Sequence, residues 1–140
     1  MAFDALNMFQ DGTAITKDLA QTSLTRGANT LPGTACLDLR QSPAKGWAVV
    51  MVVSNDLAEA SDTLLVSIED CATVDGTYRE RARFPLLTKG TGMPGTYVRR
   101  FDSNKQFIRA KIDITDADAG SDFTVAGVYI FLAYHPFIVL

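Results

Sequence analysis

Residues 105–115 read Lys-Gln-Phe-Ile-Arg-Ala-Lys-Ile-Asp-Ile-Thr, and this stretch decides the fold class. Ile108, Ala110, Ile112 and Ile114 fall at alternate positions, and Phe107, Arg109, Lys111 and Asp113 fill the positions between them. A period of two puts the first set on one face of a strand and the charged set on the other, the pattern of a half-buried antiparallel strand. Working outward, the same alternation recurs. Thr63–Glu69 turns Leu64, Val66 and Ile68 to one side, and Tyr78–Phe84 sets Tyr78, Ala82 and Phe84 against Arg79, Arg81 and Arg83. Thr34–Arg40 aligns Ala35, Leu37 and Leu39, and Tyr97–Phe101 reads as a short strand. Trp47–Val53 is apolar nearly throughout, as a central strand buried on both faces would be. Asp122–Tyr134 reads as one long strand of Phe, Val, Tyr and Ile.

Turn chemistry separates these runs: Ser42–Gly46, Asp75-Gly76, Gly90–Gly95, Asp102–Asn104 and Asp116–Ser121. Helical periodicity is weak, with single helical turns expected at most over Lys17–Leu24 and Asn55–Ser61. The reading is an all-β antiparallel sandwich in a single domain. Residues 1–33 hold few apolar side chains after Phe9 and form an extended N-terminal arm with room for one short strand. Residues 34–135 form the β-sandwich body, and 136–140 an apolar C-terminal tail. The expected core joins Ile108, Ala110, Ile112, Leu64, Val66, Ile68, Val49 and Met51.

The chain has 140 residues, 47% hydrophobic and 21% charged, with a net charge of -3. That composition supports a core without disulfides or metal, and the acidic balance argues against nucleic acid as a partner. No apolar run reaches the ~20 residues of a membrane helix. The opening MAFDALNMFQDG lacks the basic start of a secretory signal, which predicts a product that stays where it is made or leaves by lysis. Cys36 and Cys71 are too few for a disulfide scaffold and too far apart for a CxxC site, so both read as free thiols.

The chemical motifs each have a plainer explanation. Gly90–Gly95 spells GxGxxG, but a β-like segment follows it and Pro94 interrupts it, so it reads as a loop between strands rather than a dinucleotide site. Asp116, Asp118 and Asp122 alternate around Gly120, a spacing able to wrap calcium, yet no bidentate Glu follows and the same residues suit a turn. His135 is the only histidine and has no nucleophile motif beside it. Trp47, the only tryptophan, sits in an apolar run and belongs to the core rather than to a sugar platform. The expectation is a protein that is not an enzyme and needs no cofactor or metal.

Candidate binding residues are therefore surface features. Arg79, Arg81 and Arg83 form a basic stripe on one strand face, with Arg99 close in sequence, which reads either as a solvated face or as a docking surface for carboxylates. The ending Phe137, Ile138, Val139 and Leu140 is costly to leave in water, since burying such side chains contributes roughly 1.5–3 kcal/mol each. Phe137, Ile138 and Leu140 are expected to dock on the domain or on a neighbouring subunit. This predicts a homo-oligomer, with a dimer slightly favoured over a trimer.

The opening Met1–Leu6, the segment Gln10–Thr16, Val66–Asp70, Tyr78, Phe84-Pro85, Phe107–Arg109 and Phe123–Gly127 together resemble the capsid cement, or decoration, proteins of short-tailed bacteriophages. The resemblance spans most of the chain through short motifs; Tyr134–Leu140 is longer and more apolar than that family's ending. It implies a jelly-roll fold and no enzymatic activity. It also implies oligomers on the outer capsid surface, the major capsid protein as partner, and a virion protein made in the host cytoplasm. The alternative is a non-catalytic jelly-roll module that binds a ligand or carbohydrate.

Overall fold

The computed structural model describes residues 8–12, 15, 37–38, 44–73, 76–91, 94–115 and 124–133. These residues form strands and connections, with no helix among them. The strands are β1 (Met8–Asp11), β2 (Leu37–Asp38), β3 (Ala44–Val53), β4 (Thr63–Cys71) and β5 (Arg79–Arg83). They continue with β6 (Leu87–Thr88), β7 (Gly95–Ser103), β8 (Phe107–Thr115) and β9 (Val128–Ala133).

The topology is a long antiparallel ribbon rolled on itself. β1 pairs with β9, β2 with β8, β3 with β7, and β4 with β5. β3 also pairs with β9, and β4 with β8, which gathers the ribbon into sheets β1-β9-β3-β7 and β2-β8-β4-β5. β5 and β6 lie on the same edge of β4 and act as one strand interrupted at Pro85, which has no N–H to give a ladder. Counted so, the order is that of a jelly roll, each strand pairing with its counterpart from the other end of the ribbon.

Alternation sets what the sheets bury. Val49, Met51, Val53, Val128, Ile130 and Leu132 face Leu64, Val66, Ile68, Ile108, Ala110 and Ile112 across one continuous core. All the core residues expected from periodicity are in it, and Trp47 packs against it half-buried. β1 also contributes: Phe9 is fully buried and Ile15, bridged to Val125, nearly so. The sandwich thus draws a strand from inside the stretch 1–33, while the remainder of that stretch lies outside the described residues.

Three local expectations are corrected. The run 122–134 is not one strand: Val125 makes an isolated bridge, and β9 begins only at Val128. Gly127 breaks it, with φ of 75°, a conformation side chains rarely adopt. A Cβ there would stand 2.8 Å from Asn55 Nδ2 and 3.0 Å from the Ser54 Cβ. Gly12, at φ 86°, faces it: Gly127 N donates to Gly12 O and Gly12 N to Val128 O, both at 3.0 Å. Asn55–Ser61 forms bends and a turn instead of a helical turn. The Asp56 carboxylate holds this loop by accepting from Leu57 N and Gly90 N, and Lys89 Nζ donates to Ala58 O. β7 is longer than Tyr97–Phe101 at both ends because its whole length pairs with β3. The GxGxxG segment does lie between strands, β6 and β7, as its composition implies.

Candidate docking surface

β5 carries the arginines, and its register decides where they point. Arg79 lies opposite Asp70, Glu80 opposite Glu69, Ala82 opposite Ile68 and Arg83 opposite Ser67. Arg81 is therefore an extra residue, a bulge between Ile68 and Glu69 on β4. Directly opposed residues share a face. Ile68 and Asp70 belong to the inner face of β4, and Ser67 and Glu69 to the outer. Arg79 and Arg83 thus stand on opposite faces, and the expected single stripe of Arg79, Arg81 and Arg83 does not form. The bulge lets Arg81 Nε reach inward to Asp70 Oδ2 at 2.8 Å.

Arg83 joins an outer face in which charges alternate. Its guanidinium bonds Glu80 at 2.7 Å, Arg109 bonds Glu69 at 2.8 Å, and Lys111 lies 3.5 Å from Asp113. The hydrogen bond and charge of Glu80 raise the Arg83 pKa further above its ordinary value. Tyr78 completes the patch, its ring centroid 3.9 Å from the Arg109 guanidinium carbon. Each cation here has an anion beside it, so the face carries no basic field. The exposed Arg83–Glu80 pair adds little to stability, because solvent and salt screen it.

Arg99 has a different role from the one its neighbours in sequence suggest. On β7 it lies opposite Val49, on the inner side, at the edge where β7 approaches β5. Its Nε donates to Arg83 O at 3.0 Å and its Nη1 to Val98 O at 3.0 Å, with the guanidinium 5.9 Å from the centre of the Phe84 ring. One side chain therefore satisfies carbonyls on the edge strands of both sheets. A second link, which sequence reading missed, lies nearby. Ser103 Oγ on β7 donates to Asp70 Oδ2 on β4 and accepts from Lys105 N at 3.1 Å. Asp70 is buried, and its other oxygen, Oδ1, has no hydrogen-bond partner.

Among the described residues the exposed cations Arg79, Lys89 and Arg100 form no ion pair; Arg79 and Arg100 lie on the edge strands β5 and β7, and Lys89 Nζ donates to Ala58 O. Phe137, Ile138 and Leu140 lie outside the described residues, as do His135, Cys36 and the carboxylates Asp116, Asp118 and Asp122. Cys71 is a buried free thiol. Among the described residues no group of His, Cys, Asp and Glu could hold a metal ion. No described helix is long and apolar enough to cross a membrane. No protein family, curated protein or solved structure matches the chain.

Proposed function

We propose that the protein is a structural virion component that binds the outer surface of a phage capsid and bridges neighbouring capsomers. The observation that carries this reading is the placement of the terminal strands in a rigid jelly roll. Met8 pairs with Phe131, so the chain enters β1 and leaves β9 at the same end of the sandwich. Met8 and Ala133, the outer ends of the two terminal strands, thereby lie at one end of the sandwich, an arrangement suited to engaging one surface. The resemblance of the short sequence motifs to those of cement proteins supports the same reading. Jelly rolls occur in capsid and lectin domains, so the fold permits the role without requiring it. Individual contacts can be weak, because many copies on one lattice gain avidity.

The partner is the major capsid protein, and the oligomer expected is a symmetric one, a dimer before a trimer. Of the arginines, Arg79 and Arg100 are placed to meet acidic edges of a capsid lattice, since Arg81, Arg83 and Arg99 make contacts within the domain. The test is co-sedimentation with heads stripped of this protein, followed by heating. Wild-type protein should pellet with the heads and raise their disruption temperature. Arg79→Ala combined with Arg100→Ala should weaken binding and flatten its salt dependence, as expected when screened charge contacts are lost. Failure of the wild-type protein to pellet, or specific retention on glycan instead, would reject the capsid reading.

A further inference from the structure

Two registers are open to β5 on β4, and they differ in which arginines face outward. Both keep Arg83 opposite Ser67 and Ala82 opposite Ile68. In an unbroken ladder the next pairs would be Arg81 with Glu69, Glu80 with Asp70 and Arg79 with Cys71, and Arg79, Arg81 and Arg83 would share the outer face. The structure takes the other register: Arg81 is bulged, Glu80 stands opposite Glu69, and Arg79 stands opposite Asp70. On the outer face this choice sets two like charges opposite each other, where the unbroken ladder would set Arg81 against Glu69. It also leaves one residue out of the ladder. The outer contacts that come with the bulge are the exposed Arg83–Glu80 pair and the half-buried Tyr78 ring beside Arg109.

We propose that Asp70 is the latch that selects the bulged register, and that neutralising it, or offering it a cation from position 80, lets β5 slip by one residue into the unbroken ladder. Asp70 is 1% exposed, and its Oδ2 takes both the Arg81 Nε and the Ser103 Oγ. Its Oδ1 has no hydrogen-bond partner, and Ile108, opposite it on β8, offers none. Among the described residues Arg81 is the one cation paired with it. The unbroken ladder would turn Arg81 outward and bring Glu80 opposite Asp70, so a buried carboxylate would lose its cation and gain a like charge. A buried charge without its partner costs far more than an exposed pair contributes, so the inner face outweighs the outer one. The bond from Arg99 Nε to Arg83 O is compatible with both registers, because Arg83 keeps its place. This assignment does not depend on the capsid reading. It accounts for why β5 offers Arg79 at its edge rather than a row of three arginines.

The test is NMR on the full chain, because cross-strand nuclear Overhauser contacts report the register pair by pair and need no capsid. In the wild-type protein Glu80 should contact Glu69, and Arg79 should contact Asp70. In the Asp70→Asn chain both contacts should be lost, Arg81 should contact Glu69, and the contact between Arg83 and Ser67 should remain. Glu80→Lys keeps the buried carboxylate and alters an exposed side chain, so it tests the same latch if the Asp70→Asn chain does not fold. There the new lysine should stand opposite Asp70, and Arg81 again opposite Glu69. A Glu80–Glu69 contact kept in the folded Asp70→Asn chain would overturn the assignment and give the register to the Tyr78 and Arg83 contacts. A contact between position 80 and Glu69 kept in the Glu80→Lys chain would overturn it as well.

Discussion

Ile112→Ala is expected to lower the free energy of unfolding by about 2–5 kcal/mol, the cost of lost burial plus an unfilled cavity. Ile112 is fully buried on β8, directly opposite Val66 on β4, in the centre of the core between the sheets. The neighbouring change Lys111→Ala is the control. Lys111 faces outward, half-buried, with Asp113 as its ion-pair partner at 3.5 Å, and its loss should stay within about 0.5–1 kcal/mol. A one-residue slip of β8 would exchange these two outcomes, because it moves every side chain to the other face. Urea denaturation of both variants reads the register directly. A loss below about half a kcal/mol for Ile112→Ala would place that residue on the surface.

That register was legible in the sequence because β8 and β4 have one face in the core and one in water, so hydrophobicity follows the pleat. β1 was not: Met-Phe-Gln-Asp is too short to display a period, and Phe9 is placed by pairing with β9 rather than by pattern. The arginine stripe failed because counting parity assumes an unbroken ladder. One extra residue at Arg81 moves Arg79 to the face opposite Arg83. The same bulge brings Glu80 and Arg83, an i,i+3 pair that a regular strand would put on opposite faces, within reach of each other. Arg99 was misplaced by grouping it with the arginines of β5; it shares the parity of Tyr97 and Phe101 and points inward at the edge of β7. The Ser103–Asp70 contact had no sequence signal, being made between residues 33 apart with no shared motif. Gly127 within an apolar run was the signal that the last strand is broken there.

Phe84→Ala should be as damaging as any single core truncation, at about 3–5 kcal/mol. Phe84 is 1% exposed, and its N–H still donates to Val66 O at 2.9 Å, so the ring is fixed at the point where β5 leaves the edge of β4. Above it lies the Arg99 guanidinium, which holds Arg83 O and Val98 O together across the open side of the sandwich. Removing the ring therefore leaves a cavity and takes away the platform of the side chain that closes both strand edges. Arg99→Ala alone should cost less, about 1–3 kcal/mol, because its carbonyl partners lie near the surface and water replaces part of what is lost. In the double variant the two losses should fall short of their sum by about 0.5–1 kcal/mol, the coupling expected of a guanidinium over an aromatic ring. Denaturation midpoints for the four proteins supply the cycle. Light scattering supplies an independent reading: with the closure gone, the unpaired edges of β5 and β7 can pair between molecules. Strict additivity, with no rise in association on loss of Arg99, would show that Arg99 does not close the edge and would return it to the set of docking residues.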